Sequence, residues 1–204
     1  GNNDYQLRIT DKNGQFIKEL LPVDPKSKVL HGLGQNFYVY DGKLNVFPHF
    51  SNTIFSITPD STTQRYHFYF GDYHFPDDEI FQKKEYNSQA IMSEIMNNSY
   101  VRLMAPYETD EHLLVKYYVK RQVLLGIYNK KKHTAINLDP EMVIDSLHLG
   151  TFPVPIGFNH NEFIGQLTLD IQQKNRIMIP ELQKLMADYS EDSNPILIFY
   201  SLRS

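Results

Sequence analysis

Along most of the chain, apolar and polar residues alternate in short runs, and turn-favouring residues separate the runs. Tyr5-Gln6-Leu7-Arg8-Ile9 alternates, Asp11-Lys12-Asn13-Gly14 interrupts, and Phe16–Leu21 resumes. Asn-Gly supplies the positive-φ positions of a tight turn, so the stretch predicts a hairpin. Pro22–Gly34, with two prolines and two glycines, reads as loop. Four strands are expected next: Phe37–Tyr40, Leu44–Phe47, Thr53–Ile57 and Gln64–Phe70, with Asp41-Gly42 and Pro59-Asp60-Ser61 as turns. Gly71–Ser99 breaks the alternation. Ile91 and Ile95, with Met92 and Met96, take the i,i+4 spacing of a short amphipathic helix.

A second set of four strands covers Tyr100–Ala105, Leu113–Val119, Val123–Tyr128 and Thr134–Leu138. A third begins near Phe152 and includes Phe163–Ile171. It is interrupted by a predicted helix that starts at Pro180, where Leu182, Leu185, Met186 and Tyr189 share one face. The apolar run Pro195–Tyr200 ends the pattern.

The sets overlay. Ile54 maps to Leu124 and Leu44 to Leu114 by one shift, and Tyr5–Thr10 overlays Thr53–Thr58. Repeated four-stranded antiparallel units describe a β-propeller. The expected fold is therefore all-β: a propeller-like array of blades forming a partial ring, with two short helical insertions. A partial blade occupies 1–21, whole blades 35–71 and 100–139, and a last blade 151–204. Closed propellers hold at least about four blades, so the chain is expected to be a fragment, or a homodimer closed through open sheet edges.

Phe50-Ser51-Asn52-Thr53-Ile54-Phe55-Ser56-Ile57-Thr58-Pro59-Asp60, then Phe70-Gly71-Asp72-Tyr73, and terminal Asn194–Tyr200 carry a resemblance. They are similar to the C-terminal half of six-bladed β-propeller proteins of unknown function from gut Bacteroidetes. The resemblance implies an exported protein, periplasmic or at the cell surface and often lipid-anchored. It brings no catalytic residues with it.

The bulk composition narrows the chemistry. The 204 residues carry a net charge of -4 and no Cys or Trp, but 14 Tyr and 13 Phe. That balance argues against nucleic acid as a partner. The missing cysteines exclude disulfides and thiolate sites, and no apolar run reaches the roughly 20 residues of a membrane span.

None of the eight His falls in a His-Glu-x-x-His pattern, and Asp77-Asp78-Glu79 lacks the spacing of a calcium loop. No nucleophile elbow and no dinucleotide fingerprint occurs. Neither a metal nor a cofactor is expected, and no catalytic residue is assigned. Lys130-Lys131-Lys132 reads as a solvated turn.

In the blade arrangement the long connections all fall on one face: Pro22–Gly34, Gly71–Ser99, Asp139–Thr151 and Gln172–Ser193. Elaborating one face is how repeat folds build binding surfaces. Asn36, Tyr38, Tyr100 and Arg102, at the starts of inner strands, and His49, in a strand 2–3 turn, are the candidate binding residues there. The function this suggests is a binding or interaction module for a glycan, peptide or protein. The alternative is a hydrolase or lyase acting on an extracellular polymer in the propeller channel. Clustered carboxylates or histidines with shifted pKa values would favour the enzyme.

Overall fold

The structure, a computed structural model, describes residues 5–22, 37–48, 51–74, 89–90, 93, 97, 100–120, 122–140, 152–167, 180–187 and 194–203. The described residues form an all-β protein. Its antiparallel sheets hold two, four, four and three strands. The chain divides into two units, residues 1–105 with 117–122, and residues 106–116 with 123–204.

In the first unit, β1 (Tyr5–Thr10) and β2 (Phe16–Pro22) form the expected hairpin. Asp11 Oδ1 accepts the backbone N–H groups of Asn13 and Gln15, both at 2.8 Å, and Gly14 takes φ +80°. The turn is thus fixed by an Asx side chain as well as by glycine. Opposed Arg8 and Glu19 form an ion pair at 2.7 Å.

Strands β3 (Phe37–Tyr40), β4 (Lys43–Val46), β5 (Thr53–Ile57) and β6 (Thr62–His67) form a four-stranded meander. Asp41 and Gly42, at φ 50° and 67°, make the two-residue turn whose twist matches paired strands. Buried Leu21, Val46 and Ile57 form the core, with Leu7, Ile9, Leu20 and Phe55 packed around them. Buried Asn45 and Ser56 oppose each other across β4 and β5, and the Ser56 hydroxyl donates to Asn45 Oδ1 at 2.6 Å. Thus the polar pair is satisfied inside the sheet.

Strands β7 (Arg102–Glu108), β8 (His112–Val119), β9 (Gln122–Asn129) and β10 (Thr134–Leu138) make the second four-stranded sheet. In the second unit, β11 (Pro155–Phe158), β12 (Phe163–Leu167) and β13 (Ile196–Tyr200) make the three-stranded sheet. Helix α1 (Pro180–Ala187) begins on the proline predicted to start it. Residues 89, 90, 93 and 97 are also helical, within the first expected insertion. The core here is Leu114, Leu125 and Phe163, ringed by partly buried residues that include Tyr107, Phe152 and Tyr200. The Tyr200 hydroxyl donates to the Pro153 carbonyl at 2.7 Å, and burial raises its pKa.

Candidate functional site

The second unit carries a pocket of about 410 Å³, within the roughly 300–1,000 Å³ typical of small-molecule sites. It is built around the β7–β8 turn. Thr109, Asp110, Glu111 and His112 supply one wall. Asn161 and Phe163, from the β11–β12 hairpin, and Ser201 and Leu202, just after β13, complete it.

Local chemistry shapes the turn. Thr109 Oγ1 accepts the His112 N–H at 3.1 Å, and the Thr109 N–H donates to the His112 carbonyl at 2.8 Å. A hydroxyl at the first position therefore closes the loop in the manner of an ST-turn. The neighbouring turns repeat the device with amides. Asn129 Oδ1 accepts the Lys132 N–H at 2.8 Å, and Asn159 Oδ1 accepts those of Asn161 and Glu162 at 3.0 and 2.9 Å.

These turns are tied to one another. The Asp110 N–H donates to the His160 carbonyl at 2.9 Å, and the Lys130 N–H to the Glu111 carbonyl at 2.8 Å. Asn161 satisfies its amide with the nitrogen toward Asp110 Oδ2, at 3.1 Å, and the His160 carbonyl, at 3.2 Å. Beneath the turn, Lys130 Nζ lies 2.7 Å from Oε1 of fully buried Glu108 and donates to the Thr109 carbonyl at 2.6 Å. So Lys130 is a pinned, half-buried ion-pair partner and not the solvated turn residue expected. Lys131 and Lys132 are exposed as expected. Clamped from both sides, the 109–112 turn is preorganised.

His112 is the buried imidazole of the wall, 4% exposed. Asn129 Nδ2 lies 3.0 Å from its Nε2. Burial lowers its pKa below the ordinary histidine value; Lys130 and Lys132 push the same way, and Glu111 opposes them. The exposed side chains of Asp110 and Glu111 give the rim negative charge, while Phe163 and Leu202 give it an apolar floor. Carboxylate acceptors around an apolar patch can hold a small polar group.

The candidate residues from the sequence lie in the first unit. Tyr38 is buried in β3, opposite Asn45. Tyr100 is half-buried just before β7. Arg102 opens β7 with its guanidinium carbon 4.6 Å from the Tyr118 ring centroid. Asn36 and His49 lie outside the described residues. Elsewhere in the first unit, His67 Nδ1 pairs with Thr53 Oγ1 at 2.9 Å, and its ring sits 5.7 Å from that of His74. Among the described residues no group of three or more His, Asp or Glu is placed to hold a metal ion. No described helix is long and apolar enough to cross a membrane.

No curated protein matches the chain. Among solved structures, a crystal structure from Bacteroides fragilis NCTC 9343, named "Putative exported protein", superposes with a TM-score of 0.78 at 18% identity. The match covers 98% of this chain and 58% of that one, so this chain spans little more than half the length of its structural relative. At that identity the likeness concerns the fold. The family model described as "Domain of unknown function (DUF4934)" matches residues 1–201, and the chain belongs to that family.

Proposed function

We propose that the chain is an exported, non-catalytic binding module that holds a polar ligand, a glycan or peptide, in the pocket at the 109–112 turn. One observation carries the reading. The wall is held rigid from behind by the Glu108–Lys130 pair and flanked by two capped turns, while Asp110 and Glu111 face solvent. Binding energy is then not spent on ordering the loop.

The fold supports a larger reading too. Sheets of two, four, four and three antiparallel strands fit consecutive blades of a propeller-like array, and the longer relative has room for more of them. Its name supports export, to the periplasm or cell surface. In this reading Tyr100 and Arg102 remain a secondary candidate surface, buried Tyr38 contributing only packing within β3, and copies could pair through sheet edges.

Glycan and peptide arrays probed with the purified chain test the proposal, with hits confirmed by calorimetry. Binding that is lost in Glu111→Gln and kept in Lys131→Ala supports it. A polymer that is bound and then cleaved, seen as new reducing ends or new peptide termini, overturns the non-catalytic reading.

A further inference from the structure

The hydrogen bonds around His112 fix more than its position. Asn129 Oδ1 accepts the Lys132 N–H at 2.8 Å. That contact sets the amide's orientation, because a backbone N–H can only donate. The Asn129 nitrogen is therefore the group facing His112 Nε2 at 3.0 Å, and it donates. Nε2 must accept, so the neutral ring carries its proton on Nδ1. The ring is 4% exposed and lines the pocket. Among the described residues no hydrogen-bond partner occupies Nδ1, so its N–H is the donor left over for a ligand.

We propose that this pocket binds a neutral saccharide unit, with His112 Nδ1–H donating to a ligand oxygen and the Asp110 and Glu111 carboxylates accepting hydroxyl protons. The proposal rests on the binding-module reading above and adds the ligand's chemical class.

The donor–acceptor pattern decides between classes. An ammonium suits the two carboxylates but has no lone pair for the imidazole N–H. A carboxylate or phosphate suits the imidazole but meets the negative charge of Asp110 and Glu111. A hydroxyl both donates and accepts, so adjacent hydroxyls satisfy both walls at once. Half-buried Leu202, backed by the core residue Phe163, offers an apolar contact, which suits the C–H face of a pyranose ring.

Two measurements test this. Long-range ¹H–¹⁵N correlation spectra report the tautomer of His112, and protonation at Nδ1 is expected. Calorimetry then compares neutral hexose oligosaccharides with chitosan oligomers, oligogalacturonides and lysine-rich peptides. The neutral set should bind most tightly. Asp110→Asn and Glu111→Gln, both at exposed positions, should each weaken it roughly tenfold, as loss of a charge-assisted hydrogen bond does. His112→Phe should abolish it, while His160→Ala leaves it intact.

An Nε2–H tautomer overturns the donor assignment. Preference for the amine, the uronate or the peptide overturns the saccharide class but leaves the binding module standing. Failure of every probe at millimolar concentration overturns both.

Discussion

The side-chain amide of Asn129 donates to His112 Nε2 across 3.0 Å, with both residues buried. This pair sets the tautomer of the pocket's only buried imidazole among the described residues. Asn129→Asp replaces the donor with an acceptor of the same shape. A carboxylate beside Nε2 favours the charged ring, typically by about 1–3 pKa units. The His112 resonance in an NMR titration should therefore move to a higher pKa in the variant. An unmoved titration would show that the contact does not control the ring.

Stability should depend on pH through the same residue. Folded His112 titrates below the ordinary value of about 6.5. Above that pH neither the folded nor the unfolded chain holds the extra proton, and the group contributes nothing. As the pH falls, the unfolded chain protonates first, so stability declines until the folded pKa is reached and then levels off. Burial sets the direction, with Lys130 and Lys132 adding to it and Glu111 opposing. Urea denaturation between pH 7.5 and 5 should show this decline, and His112→Gln should flatten it.

Gly165 in β12 tests the packing beside the pocket. A Cβ built there would lie 2.9 Å from Pro153 Cβ, 3.2 Å from the Pro153 carbonyl oxygen and 3.2 Å from Tyr200 Cε1. The proline and the backbone cannot swing away, and Tyr200 is held by its bond to that same carbonyl. Gly165→Ala should cost about 1–3 kcal/mol, the usual range for overpacking. A shift in the urea midpoint with an unchanged slope would measure it.

The sequence revealed the strands more readily than the pocket. Alternation and Asp-Gly placed β3 and β5 at the observed residues, because both signals are local. The strand expected to run to Phe70 stops at His67, although Tyr66-His67-Phe68-Tyr69-Phe70 keeps alternating. Its partner β5 begins at Thr53, opposite His67, and past that pair the Phe68 N–H makes a last bond to the Asn52 carbonyl at 2.8 Å before the pairing ends. The pocket needs turns some 50 residues apart to meet, as where Asp110 bonds His160, and periodicity does not record such contacts. His112 looked like any strand-face histidine. Glu108 did leave a trace: it shares strand parity with buried Pro106, which points a carboxylate inward and calls for a cation.

That cation is Lys130, and the pair offers the sharpest test of how the wall is held. Glu108 is fully buried and Lys130 Nζ lies 2.7 Å away, its side chain 18% exposed. Removing two charges from water costs nearly what their attraction returns, so the pair is weak evidence of net stabilisation. Breaking it is another matter. Lys130→Met takes the ammonium from a buried carboxylate, which costs about 3–5 kcal/mol in comparable cases. It also removes the donor to the Thr109 carbonyl, so ligand affinity should fall with stability. Glu108→Leu with Lys130→Met leaves no buried charge and should be far more stable than Lys130→Met alone. Yet the double variant still lacks the bond to Thr109, so its affinity should stay low. A double-mutant cycle in urea, with calorimetry on each variant, separates the two effects. If affinity recovered along with stability, the Lys130–Thr109 bond would not be what shapes the turn.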